Sequence, residues 1–151
     1  MYRKGTSALI TNSNNEFLLV NLISFEEKFF AIPGGGVEEG ETLEESVYRE
    51  IQEELGINTD SLELVGKSDS PLQFIFKTPK INKKGKEYIG SERHFFGFKF
   101  IGDNNEIKLQ EDEVRHYKWV SFADLDKYLL FDDQLIETTE KIVEIFPQEI
   151  K

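Results

Sequence analysis

Glu50, Glu53 and Glu54 fall in one short run, Arg49-Glu50-Ile51-Gln52-Glu53-Glu54-Leu55-Gly56. On a helix that turns about 100° per residue, the three carboxylates gather on one side. Val47, Tyr48, Ile51 and Leu55 gather beside them, an apolar stripe suited to packing on a sheet. Carboxylates so close do not all stay ionised without a counter-charge. Hard divalent cations take such oxygen ligands and bridge phosphates, so the helix reads as a metal platform facing a polyphosphate. The plainer reading is a solvated acidic face, since eight glutamates lie between Gly34 and Ile57. Two features weigh against it. The glutamates border the apolar stripe instead of opposing it, and an expected turn at Pro33-Gly34-Gly35-Gly36 brings bare backbone close to whatever they bind.

The elements that must position these groups are readable in outline. Thr42-Leu43-Glu44-Glu45 has the form of a capping box that starts the helix, and Gly56 is placed to end it in a left-handed conformation. Thr6 to Thr11 and Glu16 to Ile23 are strand-like runs separated by the turn cluster Asn12-Ser13-Asn14-Asn15. Phe29 to Ile32 is a short apolar segment stopped by Pro33. Further strands are expected at 62–65, 72–76, 94–101 and 114–120. A polar loop is expected over Lys77 to Ser91, and a short helix capped by Ser121 should run through Leu129. A closing helix spans Gln134 to Phe146, with Leu135, Ile136, Ile142, Val143 and Phe146 on its inner face. The pattern is that of one mixed α/β domain covering residues 1–151.

Composition narrows the function classes. Aromatics at 13% with 13 phenylalanines argue for a packed core. The chain has no cysteine, so disulfide and thiolate chemistry drop out. Neither a membrane-length apolar run nor a signal peptide is visible, and the cytoplasm is the default location. The net charge of −11 disfavours nonspecific attraction to nucleic acid or an anionic membrane while leaving room for a local basic site.

Gly35, Glu41, Arg49-Glu50, Glu53-Glu54 and Gly56, with bulky aliphatics at Ile51 and Ile57, fill every fixed position of the Nudix box. The chain therefore resembles the Nudix hydrolases, and the strand order, Trp119-Val120-Ser121 and the closing helix are similar to that family from end to end. The resemblance implies an α/β/α sandwich around a mixed β-sheet. It implies Mg²⁺- or Mn²⁺-dependent hydrolysis of a nucleoside diphosphate linked to another group. It makes Glu50 and Glu54 the main metal ligands, gives Glu53 a further metal or the activation of water, and completes the inner shell with the Gly34 carbonyl. Arg49 and Glu41 would hold the box in shape, with Gly35 and Gly56 as its structural glycines. A distant loop supplies another ligand in the family. Glu113 is preferred here over Glu111 and Asp112 for its spacing to Trp119, against the plain alternative of an exposed acidic turn.

Water attacking a phosphate of the bridge is the expected chemistry, with Glu50 or Glu53 accepting the proton. For substrate, Tyr2-Arg3, Val47-Tyr48-Arg49-Glu50 and Trp119-Val120-Ser121 are similar to the branch holding RNA 5′-pyrophosphohydrolases and dinucleoside polyphosphate hydrolases. That likeness makes Arg3 a phosphate contact and Phe131 a base-stacking ring, the alternative for Phe131 being a core phenylalanine. Basic residues expected on the second strand of RNA-processing members are missing at Val20-Asn21-Leu22, and Asp132-Asp133 follow Phe131. A small nucleotide is thus the expected partner ahead of long RNA, with nucleoside triphosphates and nucleotide sugars still open. Lysines 77 to 86, Lys84 among them, are candidate guides for a polyphosphate in a loop expected to be mobile and solvated. His94 and His116 read as structural. A nucleotide-binding module without catalysis is the rival reading, although such modules commonly lose box glutamates, and the isomerases of this fold rely on a cysteine absent here. Nothing in the residues points to an oligomeric state.

Overall fold

The computed structural model describes residues 1–150. Its centre is β1 (Tyr2–Thr11), which is buried on both faces from Gly5 onward. It runs parallel to the long β6 (Glu87–Phe100) and antiparallel to β2 (Glu16–Leu22) and β3 (Gly34–Gly36). With β4 (Leu62–Lys67), β5 (Leu72–Ile81) and β7 (Val114–Ser121) these form a seven-stranded mixed sheet, ordered β4-β6-β1-β2-β7. β3 is added on β1 and β5 on β6. Alternation along β1 sends Ala8 and Ile10 to one face and Leu9 to the other, so the core has two halves. Helix α1 (Leu43–Leu55) covers the first through Val47, Ile51 and Leu55, and α2 (Gln134–Ile145) covers the second through Ile142 and, just beyond it, Phe146. This is the α/β/α sandwich expected.

β1 and β2 diverge soon after their turn, pairing at Thr11 and Phe17 and little further. Residues 31–36 fill the fork: Ala31 bridges Val20, and Gly34, Gly35 and Gly36 pair with Ser7, Thr6 and Gly5. The glycine run is therefore a short strand in the sheet, not a turn, because the open edges of β1 and β2 satisfy its backbone.

Four other expectations need correction. Residues 77–91 are not a mobile loop but the outer half of a hairpin, β5 pairing with β6 from Leu72↔Arg93 out to Ile81↔Glu87. Its bend is closed by the Asn82 carboxamide, which accepts from the Lys84 and Lys86 N–H groups. Both faces of this ribbon are largely exposed, so no apolar alternation announced it. The segment after β7 is a 3₁₀ helix, Phe122–Lys127, and Ser121 makes no side-chain cap bond. On α2, Ile136 and Val143 face solvent, being 63% and 50% exposed, while Thr138 and Lys141 turn inward. Lys141 can do so because its ammonium donates to Ser68 Oγ at 2.6 Å and the Ser70 carbonyl at 2.7 Å. Finally, β1 begins at Tyr2 rather than Thr6.

Candidate active site

Helix α1 starts as expected: the Thr42 hydroxyl accepts from Glu45 N–H at 3.1 Å, and the Glu45 carboxylate accepts from Thr42 N–H at 2.9 Å. It stops at Gly56, whose φ of 68° is left-handed. Thr6 Oγ1 meets Ser46 Oγ at 3.3 Å and fixes the helix over β1 and β3. In an antiparallel ladder every second residue turns its polar groups away from its partner. Gly34 and Gly36 are those residues in β3, and both address the helix. Gly34 N–H donates to Glu54 Oε1 at 2.9 Å, and the Gly36 carbonyl accepts from Arg49 at 2.8 Å. A Cβ on Gly35 would meet the Glu50 carboxylate, so the glycine leaves that carboxylate its place against the strand.

Arg49 organises one end of the acidic face. Its guanidinium grips Glu41 in a two-point fork, at 2.7 and 3.0 Å, and reaches Glu50 at 2.9 Å and Glu53 at 3.2 Å. The hydrogen bonds from Arg49 bring the Glu41 pKa down to about 2.

Glu54 is the opposite case. The residue is 4% exposed, and burial pushes its pKa up to about 8, with Glu50 and Glu113 adding to the rise while Gly34 N–H and Arg93 oppose it. Burial likewise raises Glu50, against the pull of Arg49. Glu53 stands 55% exposed at the rim. Glu113 joins the group because the segment before it is pinned to the end of α1: Lys108 N–H donates to the Leu55 carbonyl and Gln110 N–H to that of Glu54. Glu111 instead faces a separate hollow beside Lys108 and Arg115.

The donors offered here, carboxylates and the Gly34 carbonyl, are hard oxygens suited to Mg²⁺ or Mn²⁺. Burial has moved Glu50 and Glu54 in the direction that a cation would reverse. The residues thus fit a divalent ion, although among the described residues no three acidic or histidine side chains converge into a ready-made cage. One guanidinium nitrogen of Arg49 holds an oxygen of Glu50 at 2.9 Å and of Glu53 at 3.2 Å.

A cleft of about 430 Å³ opens beside Gly34. Arg93, unremarked in the sequence, lines it: the guanidinium donates to the Thr6 carbonyl and Ser7 Oγ, both at 3.0 Å. The strand pattern in the sequence starts at His94, one residue after it, and gives no sign of its place in the cleft. The far wall is built by Asn21, which donates to the Glu26 and Phe29 carbonyls and accepts from Arg115 at 2.7 Å. These bonds shape the 23–30 loop and set Phe25 against the cleft. Phe131 is no core residue. It is 40% exposed and stacks on Phe29 at 4.4 Å with its edge to Phe25. Arg3 lies over the Phe76 ring at 5.5 Å and near enough to Arg93 to act on its charge. Lys84 sits at the hairpin bend, paired with Glu39 at 3.1 Å. His94 pairs with Glu92 at 2.9 Å and is not among the cleft's lining residues.

Comparison with known proteins agrees with this fold. The NUDIX domain model matches residues 1–141. An RNA pyrophosphohydrolase of Pelagibacter ubique is 31% identical, the match covering 95% of this chain and 92% of that one. Another from Nitratiruptor is 28% identical over 98% and 95%. Among solved structures, the E. coli dihydroneopterin triphosphate pyrophosphohydrolase superposes with a TM-score of 0.71 at 18% identity, covering 95% of this chain and 99% of that one. A C. elegans Ap4A hydrolase complex superposes at 0.65 and 19%, covering 93% and 98%. Among the described residues no helix is long and apolar enough to cross a membrane.

Proposed function

The chain belongs to the Nudix family and is a hydrolase of phosphorus anhydrides; from that premise we propose that it cleaves a diphosphate linkage in a nucleoside 5′-polyphosphate, a dinucleoside polyphosphate or another small nucleotide being the simplest substrate. The observation that carries this reading is the buried, proton-retaining Glu54 set against Gly34 at the mouth of a cleft that also holds Arg93. A volume of about 430 Å³ suits one nucleoside unit.

Members of the family generally need a divalent metal, and here Glu50, Glu54, the Gly34 carbonyl, Glu53 and Glu113 would hold Mg²⁺ or Mn²⁺. When bound, such an ion neutralises charge on phosphoryl oxygens and makes a coordinated water more acidic. The chain's own residues do the rest. Glu50 and Glu53 share one guanidinium, and one of the two takes the proton from the attacking water. Arg49, anchored by Glu41, keeps both carboxylates aimed. Arg93, fixed by β1, presents its free edge to the phosphates, and Phe25 and Phe131 offer aromatic surface to the base.

The 5′ end of an RNA is the second reading, favoured by the 31% identical RNA pyrophosphohydrolase. A panel of dinucleoside polyphosphates, nucleoside triphosphates, nucleotide sugars and 5′-triphosphorylated RNA, each with Mg²⁺ and Mn²⁺, tests both. Turnover of at least one class, lost in Glu54→Gln, is expected. A Glu54→Gln variant with near-normal rates at saturating Mg²⁺ would overturn the assignment.

A further inference from the structure

The hairpin that walls the cleft does not end there. Its inner residues, Leu72, Phe74, Ser91 and Arg93, line the cavity, and the same two strands continue outward past it. Along β5 beyond the cleft and through the bend the chain turns basic, although Glu87 of β6 lies opposite Ile81 and Lys84 is paired with Glu39. Between Lys77 and Lys86 there are five lysines and no acid, in a chain of net charge −11.

One face of the ribbon carries an ordered series. Phe74 lies opposite Ser91, and Ser91 lies opposite Arg3 on β1. Phe74 and Phe76 meet at 6.0 Å, and Phe76 is flanked by Arg3 at 5.5 Å and Lys80 at 4.5 Å. The sequence of groups leading away from the cleft is thus Arg93, then Arg3 with Phe74, then Phe76, then Lys80. Leu72 pairs with Arg93 and Lys80 with Tyr88, β5 bulging between Ile75 and Lys80, so the span is five residues of β6, roughly 17 Å at a strand's rise per residue and more than one nucleotide occupies. Lysine alone would be explained as protection of an edge strand. That explanation does not cover Phe74, which is 63% exposed, or the Phe76 ring flanked by two cations. Alternating aromatic faces and cations are the chemistry that binds single-stranded nucleic acid, by base stacking and phosphate pairing.

We propose that this ribbon face, Phe74-Phe76-Lys80 with Arg3, is a track for a single-stranded polynucleotide whose 5′-terminal nucleotide occupies the cleft. The inference rests on the RNA-end reading of the same site and gives it a physical basis beyond the cleft. It also accounts for an acidic protein handling a polyanion: the attraction is confined to one arm.

The test uses the full chain with Phe76→Leu and Lys80→Ala, neither of which lies in the cleft or the acidic cluster. Hydrolysis is compared on a 5′-triphosphorylated single strand of about ten nucleotides and on a dinucleoside polyphosphate. Each variant is expected to lose about tenfold in kcat/KM on the oligomer and nothing on the small nucleotide. Anisotropy with a labelled 5′-monophosphorylated oligomer reads binding without cleavage. Affinity should fall in both variants, and Lys80→Ala should flatten the log–log salt slope by about 0.7. Equal losses on both substrates, binding unmoved by either change, or binding moved by the lysine alone and competed equally by heparin would each overturn the track. If small nucleotides are cleaved and the oligomer is not bound, the track fails and the proposed hydrolysis stands. If the oligomer binds as expected and no polyphosphate is cleaved, the hydrolysis fails and the track stands.

Discussion

Glu41 and Glu54 belong to the same glycine-and-glutamate motif, yet the fold treats them in opposite ways. Glu41 is met by a two-point guanidinium fork and its pKa drops to about 2. Glu54 is buried with a single backbone N–H, two nearby carboxylates and no ion-pair contact among the described residues, and despite the field of Arg93 its pKa climbs to about 8. The first charge is completed inside the protein, while the second is left wanting a positive partner from outside. A carboxylate buried without a cation is costly, and that cost marks where the protein is built to receive one.

The contrast breaks most visibly in turnover. Glu54→Gln keeps a carbonyl oxygen for Gly34 N–H, so the fold should survive while kcat falls by about 10³-fold or more, the scale of several kcal/mol of lost charge stabilisation. Circular dichroism beside initial rates at saturating Mg²⁺ checks both halves. Glu53→Gln should also lose orders of magnitude, about 10²-fold at least if it shares the proton with Glu50.

Metal linkage is next in size. An ion that binds the folded chain at a hundred times its Kd stabilises it by about 2.7 kcal/mol. Thermal melts with added Mg²⁺ or Mn²⁺ should therefore rise in the wild type and in Glu41→Gln, and rise much less in Glu54→Gln. An equal response in all three would dissolve the distinction between the two glutamates.

How much of this was legible follows from how local each signal is. The capping box at Thr42 and Glu45, the stop at Gly56 and the stripe Val47-Ile51-Leu55 are set by residues within a few positions of one another, and they stand where the sequence placed them. The acidic side of α1 was equally readable, but not the difference between Glu41 and Glu54, which depends on what each meets in space: the Arg49 fork for Glu41, and burial against Gly34 of a distant strand for Glu54. Arg93 was hidden because it points into a cleft made by pairing β5, β6 and β1, contacts far apart in the chain. The hairpin was hidden for another reason. A ribbon solvated on both faces has no buried side to impose a period of two. Lys141 entered the core because Ser68 and Ser70, far along the chain, receive it.

The structural end of the contrast carries a smaller expectation. Arg49→Lys keeps the charge but loses the planar fork on Glu41 and the reach to the Gly36 carbonyl. Denaturant unfolding should report a loss of about 2 kcal/mol, in the range for charge-assisted hydrogen bonds. Turnover should fall as well, since Glu50 and Glu53 lose their common anchor. A variant with unchanged stability would mean that the guanidinium serves catalysis alone.

The smallest signal, at any one pH, is also the one that separates the two glutamates by sign. A single group changes stability by at most about 1.4 kcal/mol per pH unit. Glu41 has its folded pKa below the ordinary value of 4.5, so its stabilisation is present above that value and is lost as pH falls toward about 2. Glu54 has its folded pKa raised, so in metal-free protein its contribution is fully present below 4.5 and is lost as pH rises through about 8. Unfolding in chelator across pH 3 to 9 should then show an acid-side decline that is weaker in Glu41→Gln and an alkaline-side decline that is weaker in Glu54→Gln. Saturating Mg²⁺ should flatten the alkaline limb alone, because the cation holds Glu54 in the form that burial disfavours.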